Sequence, residues 1–163
     1  MSVAEAGIER AREVIEQHGI HTVECLFADI WGTPRGKRLP ASHFLKSPAK
    51  GFAIADICHV WDLHCFIIDT PFRRYDSGWP DMAVVPDLDT LRPATWREGT
   101  ALVVCDTVDE RTHEPLVVDS RYQLRRAVEP SVPSTTIASQ PVLAAILTSS
   151  RTRQAASFRM IGI

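Results

Sequence analysis

Short apolar segments rich in β-branched residues dominate the chain between residues 21 and 120, and turn residues separate them. Val, Ile, Thr and aromatic residues favour strands, whereas Gly, Pro, Asp and Ser favour turns. The segments "HTVECLFADI" and "KRLPA" flank the turn-like "WGTPRG", which predicts a hairpin. "TALVVCDTV" and "LVVDS" flank the polar link "DERTHEP", which predicts a second one. Such a chain must fold around a sheet.

Helical periodicity occurs at the two ends of this strand-rich region. Apolar residues near the N-terminus recur at steps of three and four, and Gly19 follows as a left-handed stop. Asp119 stands where an N-cap would precede a second helix. The order of elements is mixed, so we expect an α+β domain with a curved, mixed sheet over one or two helices. The apolar stripe of the first helix comprises Ala4, Ile8, Ala11 and Ile15.

The composition changes after Glu129. All 20 acidic residues lie in residues 1–129, with 15 basic ones, giving a charge of −5; the remaining residues carry three arginines and no acid, giving +3. Prolines 130, 133 and 141 interrupt any helix there. We therefore expect one folded domain at residues 1–128. Residues 129–163 are expected to be an aberrant or disordered tail, such as a frameshift or truncation product.

The overall charge and hydropathy exclude several function classes. A formal net charge of −2 creates no field that would gather nucleic acid or an anionic membrane. The longest apolar run near the C-terminus, "VLAAIL", is too short to cross a bilayer. The acid-rich N-terminus resembles neither a secretory signal nor a transit peptide. We expect a cytoplasmic protein with reduced thiols at Cys25, Cys58, Cys65 and Cys105.

The segment "CHVWDLHC" concentrates residues that can bind metal or act as nucleophiles. Cys58, His59, His64 and Cys65 offer the two sulfurs and two nitrogens of a tetrahedral zinc site. Adjacent side chains of a strand point to opposite faces, so such a site needs a sharp turn of the backbone. A second possibility is a Cys58 thiolate with a neighbouring histidine as base and Asp62 as orienting acid. Sequence adjacency alone establishes neither.

Three motifs occur in order along the chain. They are "D-x-x-G-x-x-R-G-K" within "FADIWGTPRGKRLPASHF", then "SGWPDMAVVPD", and finally "ALVVCD" followed by a proline and "DSRYQLRRAV". Together they resemble the N-terminal β-grasp domain of the glutamine synthetase family, over roughly residues 5 to 128. The likeness is nearer to the branch that joins glutamate to amines or polyamines than to the glutamine-forming enzymes.

The resemblance implies an ATP-dependent ligase of nitrogen metabolism, which forms glutamine or a γ-glutamyl amide. Glutamate is phosphorylated on its γ-carboxylate, and ammonia or an amine captures the acyl phosphate. In this family ATP and Mg²⁺ or Mn²⁺ bind to a C-terminal catalytic domain, whose E-x-E metal motif does not follow "DSRYQLRRAV" here. We therefore expect no cofactor or metal in this chain and no turnover by it alone. The expected partners are homologous ligase subunits in a homo-oligomer.

The resemblance also implies two site residues. Asp56 matches the family carboxylate that a subunit lends to its neighbour to hold ammonium or an amine, and Asp81 in "GWPDM" matches a second family carboxylate nearby. Alternatively, Asp56 is a carboxylate at a strand end, and Asp81 caps backbone amides in a turn. The bulky residues after Asp56 differ from the small ones of glutamine-forming members, which indicates a different amine. Trp61 would form an apolar wall of that site.

The sequence is also compatible with other functions. We expect Arg35 and Lys37 to form a solvated basic edge or a subunit contact. A phosphate site is disfavoured because no phosphate-binding glycine loop accompanies these residues. The domain could be an interaction module that docks onto full-length ligase subunits through an exposed strand edge. It could also be a small zinc-binding protein.

Overall fold

The computed structural model describes residues 3–46 and 51–128. Within these residues the helices are α1 (Val3–Gln17), α2 (Ala41–Phe44) and α3 (Ser120–Val128). The strands are β1 (Thr22–Ala28), β2 (Pro34–Pro40), β3 (Phe52–Ala55), β4 (Asp81–Pro86), β5 (Arg92–Pro93) and β6 (Thr100–Asp109). Single 3₁₀ turns occur at Asp56–His59, Tyr75–Ser77 and Leu88–Thr90.

The strands form one mixed sheet in the order β2-β1-β6-β4-β3, and the short β5 also pairs with β6. The two central neighbours β1 and β6 run parallel, from Thr22 opposite Thr100 to Leu26 opposite Val104. All other pairs named here are antiparallel. The predicted α+β, β-grasp-like architecture with a mixed sheet and few helices is confirmed.

The first predicted hairpin is present, with a shifted turn. The chain reverses at residues 29–33, and β2 already begins at Pro34, opposite Ala28. Gly36 is therefore a strand residue opposite Leu26. A Cβ at Gly36 would lie 1.8 Å from the carbonyl oxygen of Cys25, so only glycine permits this close approach of the two strands.

The second predicted hairpin is wrong in its return strand. After β6 the chain makes an isolated bridge between Val108 and Pro115. It then turns, with the Leu116 N–H donating to the Thr107 carbonyl and the Asp119 N–H donating to Leu116. "LVVDS" thus leads directly into α3 without forming a strand, because Asp119 is needed as the cap of that helix.

The core lies between α1 and one face of the sheet. Ala11 and Ile15 of the predicted apolar stripe are buried, and the helix stops before Gly19, whose φ is +58°. In β1 the alternate residues Val23, Cys25 and Phe27 are buried in the same cluster. Truncating such a buried aromatic side chain to alanine typically costs about 3–5 kcal/mol. Other members of the core are Phe44, Met82, Val84, Ala101, Val103 and Cys105.

Two further predictions concern the C-terminal tail and membrane-spanning segments. The predicted tail, residues 129–163, lies outside the described residues. In the part that the structure describes, none of the helices combines the length and the apolar character that crossing a bilayer requires.

Candidate functional site

Asp56 lies where β3 ends and a 3₁₀ turn begins, and its side chain is buried with 2% exposure. Its backbone N–H donates to the Pro80 carbonyl at 3.0 Å, which ties the turn to the residue before β4. Its Oδ2 accepts a hydrogen bond from Arg73 Nε at 2.6 Å. Charge-assisted contacts of this kind are about twice as strong as neutral hydrogen bonds. One side of the carboxylate is therefore firmly held.

The other oxygen of this carboxylate has no such partner. Asp56 Oδ1 is buried without a hydrogen-bond partner, and a carboxylate oxygen left in this state carries a desolvation cost. Burial raises the pKa of Asp56, and this effect outweighs the opposing contribution of Arg73, while the charge of Asp81 raises the pKa further. The arrangement is a buried carboxylate with one unpaired oxygen and an increased affinity for a proton.

The structure brings the two predicted site residues together. Asp81 is the first residue of β4 and lies opposite Ala55, the residue before Asp56. Unlike Asp56, it is exposed to solvent. Two carboxylates thus lie at one end of the β3–β4 pair, one of them buried and one accessible.

A hydrogen-bonded chain in the interior holds the far end of the 3₁₀ turn. The Thr107 hydroxyl donates to Asp119 Oδ2 at 2.7 Å, so its oxygen accepts from His59 Nε2 at 3.1 Å. Asp119 Oδ1 in turn accepts from the Tyr122 N–H, which confirms Asp119 as the N-cap of α3. Because the Thr107 oxygen accepts from His59 Nε2, the proton of the neutral imidazole is on Nε2. Burial lowers the pKa of His59. His59 therefore joins the turn to β6 and α3.

The residues of "CHVWDLHC" are dispersed by this arrangement. His64 is exposed, while His59 is fully buried and bonded to Thr107. Burial raises the pKa of the Cys58 thiol, which opposes its activation as a nucleophile. Cys65 lies in a turn at φ 64°, where its Sγ accepts from Arg35 Nη1 at 3.6 Å. Among the residues that the structure describes, no three His, Cys, Asp or Glu side chains could together hold a metal ion.

The motif "D-x-x-G-x-x-R-G-K" organises the first hairpin. Asp29 Oδ1 accepts from the backbone N–H groups of Trp31 and Thr33, and its Oδ2 pairs with Arg35 Nε at 3.0 Å. Gly32 supplies the positive φ of +78° that the turn requires. Both Asp29 and Arg35 are largely shielded from water, so Arg35 belongs to an internal ion pair, not to the solvated edge that the sequence suggested.

Lys37 is exposed, as expected for a solvated edge, and it also makes a hydrogen bond to another strand. It lies on the edge strand β2, and its Nζ donates to the Ala53 carbonyl of β3 at 2.7 Å. Because β2 and β3 are the two ends of the strand order, this hydrogen bond draws the edges of the curved sheet together. Arg35 and Lys37 are thus part of the scaffold that leads to Asp56.

Large apolar side chains are exposed on two adjoining loops. Trp31 is 52% exposed in the first hairpin turn, and its Nε1 donates to the Trp61 carbonyl at 2.8 Å. Leu63 and Phe66, in the loop that follows Trp61, are 68% and 71% exposed. We call these three exposed side chains, Trp31, Leu63 and Phe66, the apolar rim. Such a group of exposed apolar residues is typical of a contact surface.

Several known proteins are similar to this chain in sequence. Glutamate–isopropylamine ligase of a Pseudomonas species is 40% identical over 124 residues, which are 75% of this chain and 27% of that protein. Type-1 glutamine synthetase 2 of Dictyostelium discoideum is 32% identical over 63% of this chain and 20% of its own length. The γ-glutamylethanolamide synthetase GlnA4 of Streptomyces coelicolor is 31% identical, over 76% and 27%. No family model matches the chain.

Solved structures also match the fold of this chain. The structure of GmaS without ligand superimposes with a TM-score of 0.56 at 19% identity, over 72% of this chain and 25% of GmaS. The ADP complex of GmaS gives the same TM-score at 20% identity, over 76% and 25%. The matched domain belongs to the glutamine synthetase family. The chain spans about a quarter of the length of the curated relatives it matches.

Within this glutamine synthetase-type domain, sequence reasoning missed the partner of Asp56. Nothing in the loop "TPFRRYDSGWPDM" distinguishes Arg73 from the adjacent Arg74. In the structure Arg73 turns inward to Asp56, whereas the Arg74 side chain remains 67% exposed beside Asp76. The buried ion pair of Asp29 and Arg35 lies within the motif "D-x-x-G-x-x-R-G-K". The spacing of opposite charges in that motif could have predicted this pair from the sequence.

Proposed function

We propose that this domain supplies Asp56 to the amine site of an ATP-dependent glutamate–amine ligase of the glutamine synthetase type. The observation that carries the proposal is the buried, unpartnered Oδ1 of Asp56. An amine N–H group is a suitable donor for that atom. The relatives named for isopropylamine and ethanolamide point to an amine other than ammonia as the substrate. The second carboxylate, Asp81, would add negative charge at the entrance.

Asp56 would act as the acceptor of the amine proton. The amine nitrogen attacks the γ-carbonyl carbon of glutamyl phosphate, the C–N bond forms, and the C–O bond to phosphate breaks. The proton released by the nitrogen passes to Asp56, whose raised pKa favours that transfer. Oδ1 is the receiving atom because Oδ2 is occupied by Arg73.

The remaining parts of the reaction belong to a catalytic domain. We propose that it holds ATP, glutamate and the Mg²⁺ or Mn²⁺ ions, which would neutralise the charge of the transferred phosphoryl group. No group of side chains in residues 3–46 and 51–128 fits such ions. We accordingly propose that the 163-residue chain alone shows no metal-dependent phosphate release with ATP, glutamate and an amine. We place its action in the cytoplasm, where its four free thiols stay reduced.

A chimaeric enzyme tests this function. Residues 1–128 replace the corresponding domain of the Pseudomonas glutamate–isopropylamine ligase, and phosphate release is measured with isopropylamine, ethanolamine and ammonia. We expect amine-dependent turnover, which Asp56→Asn abolishes because the amide cannot take up the proton. The matched control is Asp76→Asn, an exposed carboxylate of the following loop, which should leave turnover unchanged. Full activity of the Asp56→Asn chimaera would refute the proposal.

We further propose that the apolar rim contacts a neighbouring ligase subunit in a homo-oligomer. The exposure of three large apolar side chains on adjoining loops favours this contact. Leu63→Ser and Phe66→Ser together should shift the chimaera towards smaller species in sedimentation velocity. The control is Val117→Ser, which alters a similarly exposed apolar residue elsewhere on the domain. An unchanged sedimentation profile of the double variant would contradict the assignment.

A further inference from the structure

Arg73 is held in place by its own loop before it reaches Asp56. Its backbone carbonyl accepts from the Thr70 N–H at 2.9 Å, and its N–H donates to Thr70 Oγ1 at 3.1 Å. Its guanidinium carbon lies 4.7 Å from the centroid of the Phe72 ring, and Nη1 donates to the Phe72 carbonyl at 3.2 Å. These contacts leave the Nε–H directed at Asp56 Oδ2. The side chain is thus pre-organised before any ligand binds.

This geometry makes the two oxygens of Asp56 unequal. Oδ2 accepts a short charge-assisted hydrogen bond, whereas Oδ1 is buried and unpaired. The Asp56 N–H bond to Pro80 fixes the backbone at the same point, so the carboxylate is restrained at both ends. A carboxylate free to rotate would present either oxygen, whereas this one presents a single acceptor in one direction.

We infer that Arg73 is a positioning residue for Asp56, which orients the carboxylate so that Oδ1 alone receives the amine. This inference rests on the function proposed above. Arg73 also supplies a positive charge that opposes the effect of burial on the pKa of Asp56. Among the described residues, Asp81 and the Cys58 thiol also interact electrostatically with Asp56, and neither supplies a positive charge. Removal of Arg73 therefore affects both the direction and the charge of the acceptor.

The charge of Asp56 can be followed in the 163-residue chain itself. Carbon-13 NMR of labelled aspartate side chains gives the titration of Asp56, assigned by the loss of its signal in Asp56→Asn. We expect Arg73→Met, which keeps the aliphatic length, to shift the Asp56 titration to higher pH. Arg74→Met is the matched control and should leave it in place, because Arg74 contacts Asp76. An unshifted Asp56 titration in folded Arg73→Met would overturn the inference.

The consequence for the amine is measured in the chimaera. Loss of a charge-assisted hydrogen bond should lower kcat/KM for the amine about 10- to 100-fold in Arg73→Met. The KM for glutamate should stay the same, and the acidic limb of the pH profile should move to higher pH. A merely structural role would affect both substrates and leave the pH profile in place. Arg73→Lys keeps the charge without the Nε–H donor, so it should keep the wild-type pH profile yet bind the amine less tightly.

These outcomes separate the two proposals. If Asp56→Asn abolishes turnover while Arg73→Met keeps its kcat/KM and pH profile, the role of Arg73 is refuted and the proposed function stands. If Asp56→Asn retains turnover, the proposed function fails together with the inference. Should Arg73→Met not fold, Arg73→Lys decides: unchanged kcat/KM for the amine in that variant would refute the positioning role.

Discussion

Asp119 is the residue whose replacement tests the interior of the domain most directly. Its buried carboxylate accepts three hydrogen bonds, from the Thr107 N–H at 2.7 Å, the Thr107 hydroxyl at 2.7 Å and the Tyr122 N–H at 2.8 Å. It thereby joins β6, the start of α3 and, through Thr107, the imidazole of His59. Asp119→Ala removes all three acceptor contacts at once.

The expected loss of stability depends on whether each donor can find another acceptor after the substitution. Loss of the N-cap contact to Tyr122 costs about 1 kcal/mol. The Thr107 hydroxyl can rotate towards His59 if the imidazole changes tautomer, so its loss is partly recovered. The Thr107 N–H cannot move, and a buried donor left alone costs about 1–3 kcal/mol. We therefore expect Asp119→Ala to lower the free energy of unfolding by about 2–4 kcal/mol, a large share of the usual 5–15 kcal/mol.

The assay is equilibrium urea unfolding of the full chain, followed by circular dichroism. Asp109→Ala is the matched control, because Asp109 also accepts three hydrogen bonds, from the Arg111 N–H and from the N–H and hydroxyl of Thr112. Those contacts lie in a solvent-exposed turn, where water replaces the lost acceptor. If Asp119→Ala lowered stability no more than Asp109→Ala, the assigned importance of burial would be wrong.

Two further predictions concern stability. Burial lowers the pKa of His59 in the folded chain. Below about pH 6.5, the ordinary histidine value, the unfolded chain therefore binds more protons than the folded chain. The free energy of unfolding should decrease as the pH falls through this range. His59→Gln should flatten this slope in urea unfolding measured at several pH values, whereas the exposed His18→Gln should retain it. Gly36→Ala should destabilise the fold by about 2 kcal/mol or more, because the new Cβ meets the Cys25 carbonyl. Gly19→Ala, with open space around its positive-φ position, should cost only about 1 kcal/mol; an equal loss in both thermal melts would contradict the steric argument.

Local features of this domain were predictable because they depend on neighbours in the chain. The spacing of apolar residues identified α1, and Asp119 marked the start of α3. The apolar runs that became β4 and β6 were also recognisable, since a central strand is buried along most of its length. Each of these signals lies within about ten residues of the element that it predicts.

Two of the misplaced elements depend on contacts between segments that are separated in the chain, and one depends on a local side-chain contact. The hairpin turn was predicted at residues 31–36, yet the chain reverses earlier because Asp29 accepts the N–H groups of Trp31 and Thr33. Gly36 had the composition of a turn residue, but it is required by the close approach of Cys25. The predicted return strand after β6 became a turn because Asp119 bonds to Thr107. In each case a specific contact, made by a side chain or between two backbones, outweighed local propensity.

The position of Asp56 is the strongest example of this dependence on distant contacts. Lys37, on one edge strand of the sheet, bonds to the Ala53 carbonyl on the other edge strand, three residues before Asp56. Arg73, in a separate loop, holds the carboxylate itself. The loop containing Arg73 therefore reaches the buried acidic group directly, whereas the motif containing Lys37 contacts the strand that leads to it. Asp56 Oδ1 nevertheless lacks a hydrogen-bond partner, so these contacts bury the carboxylate without satisfying both of its oxygens.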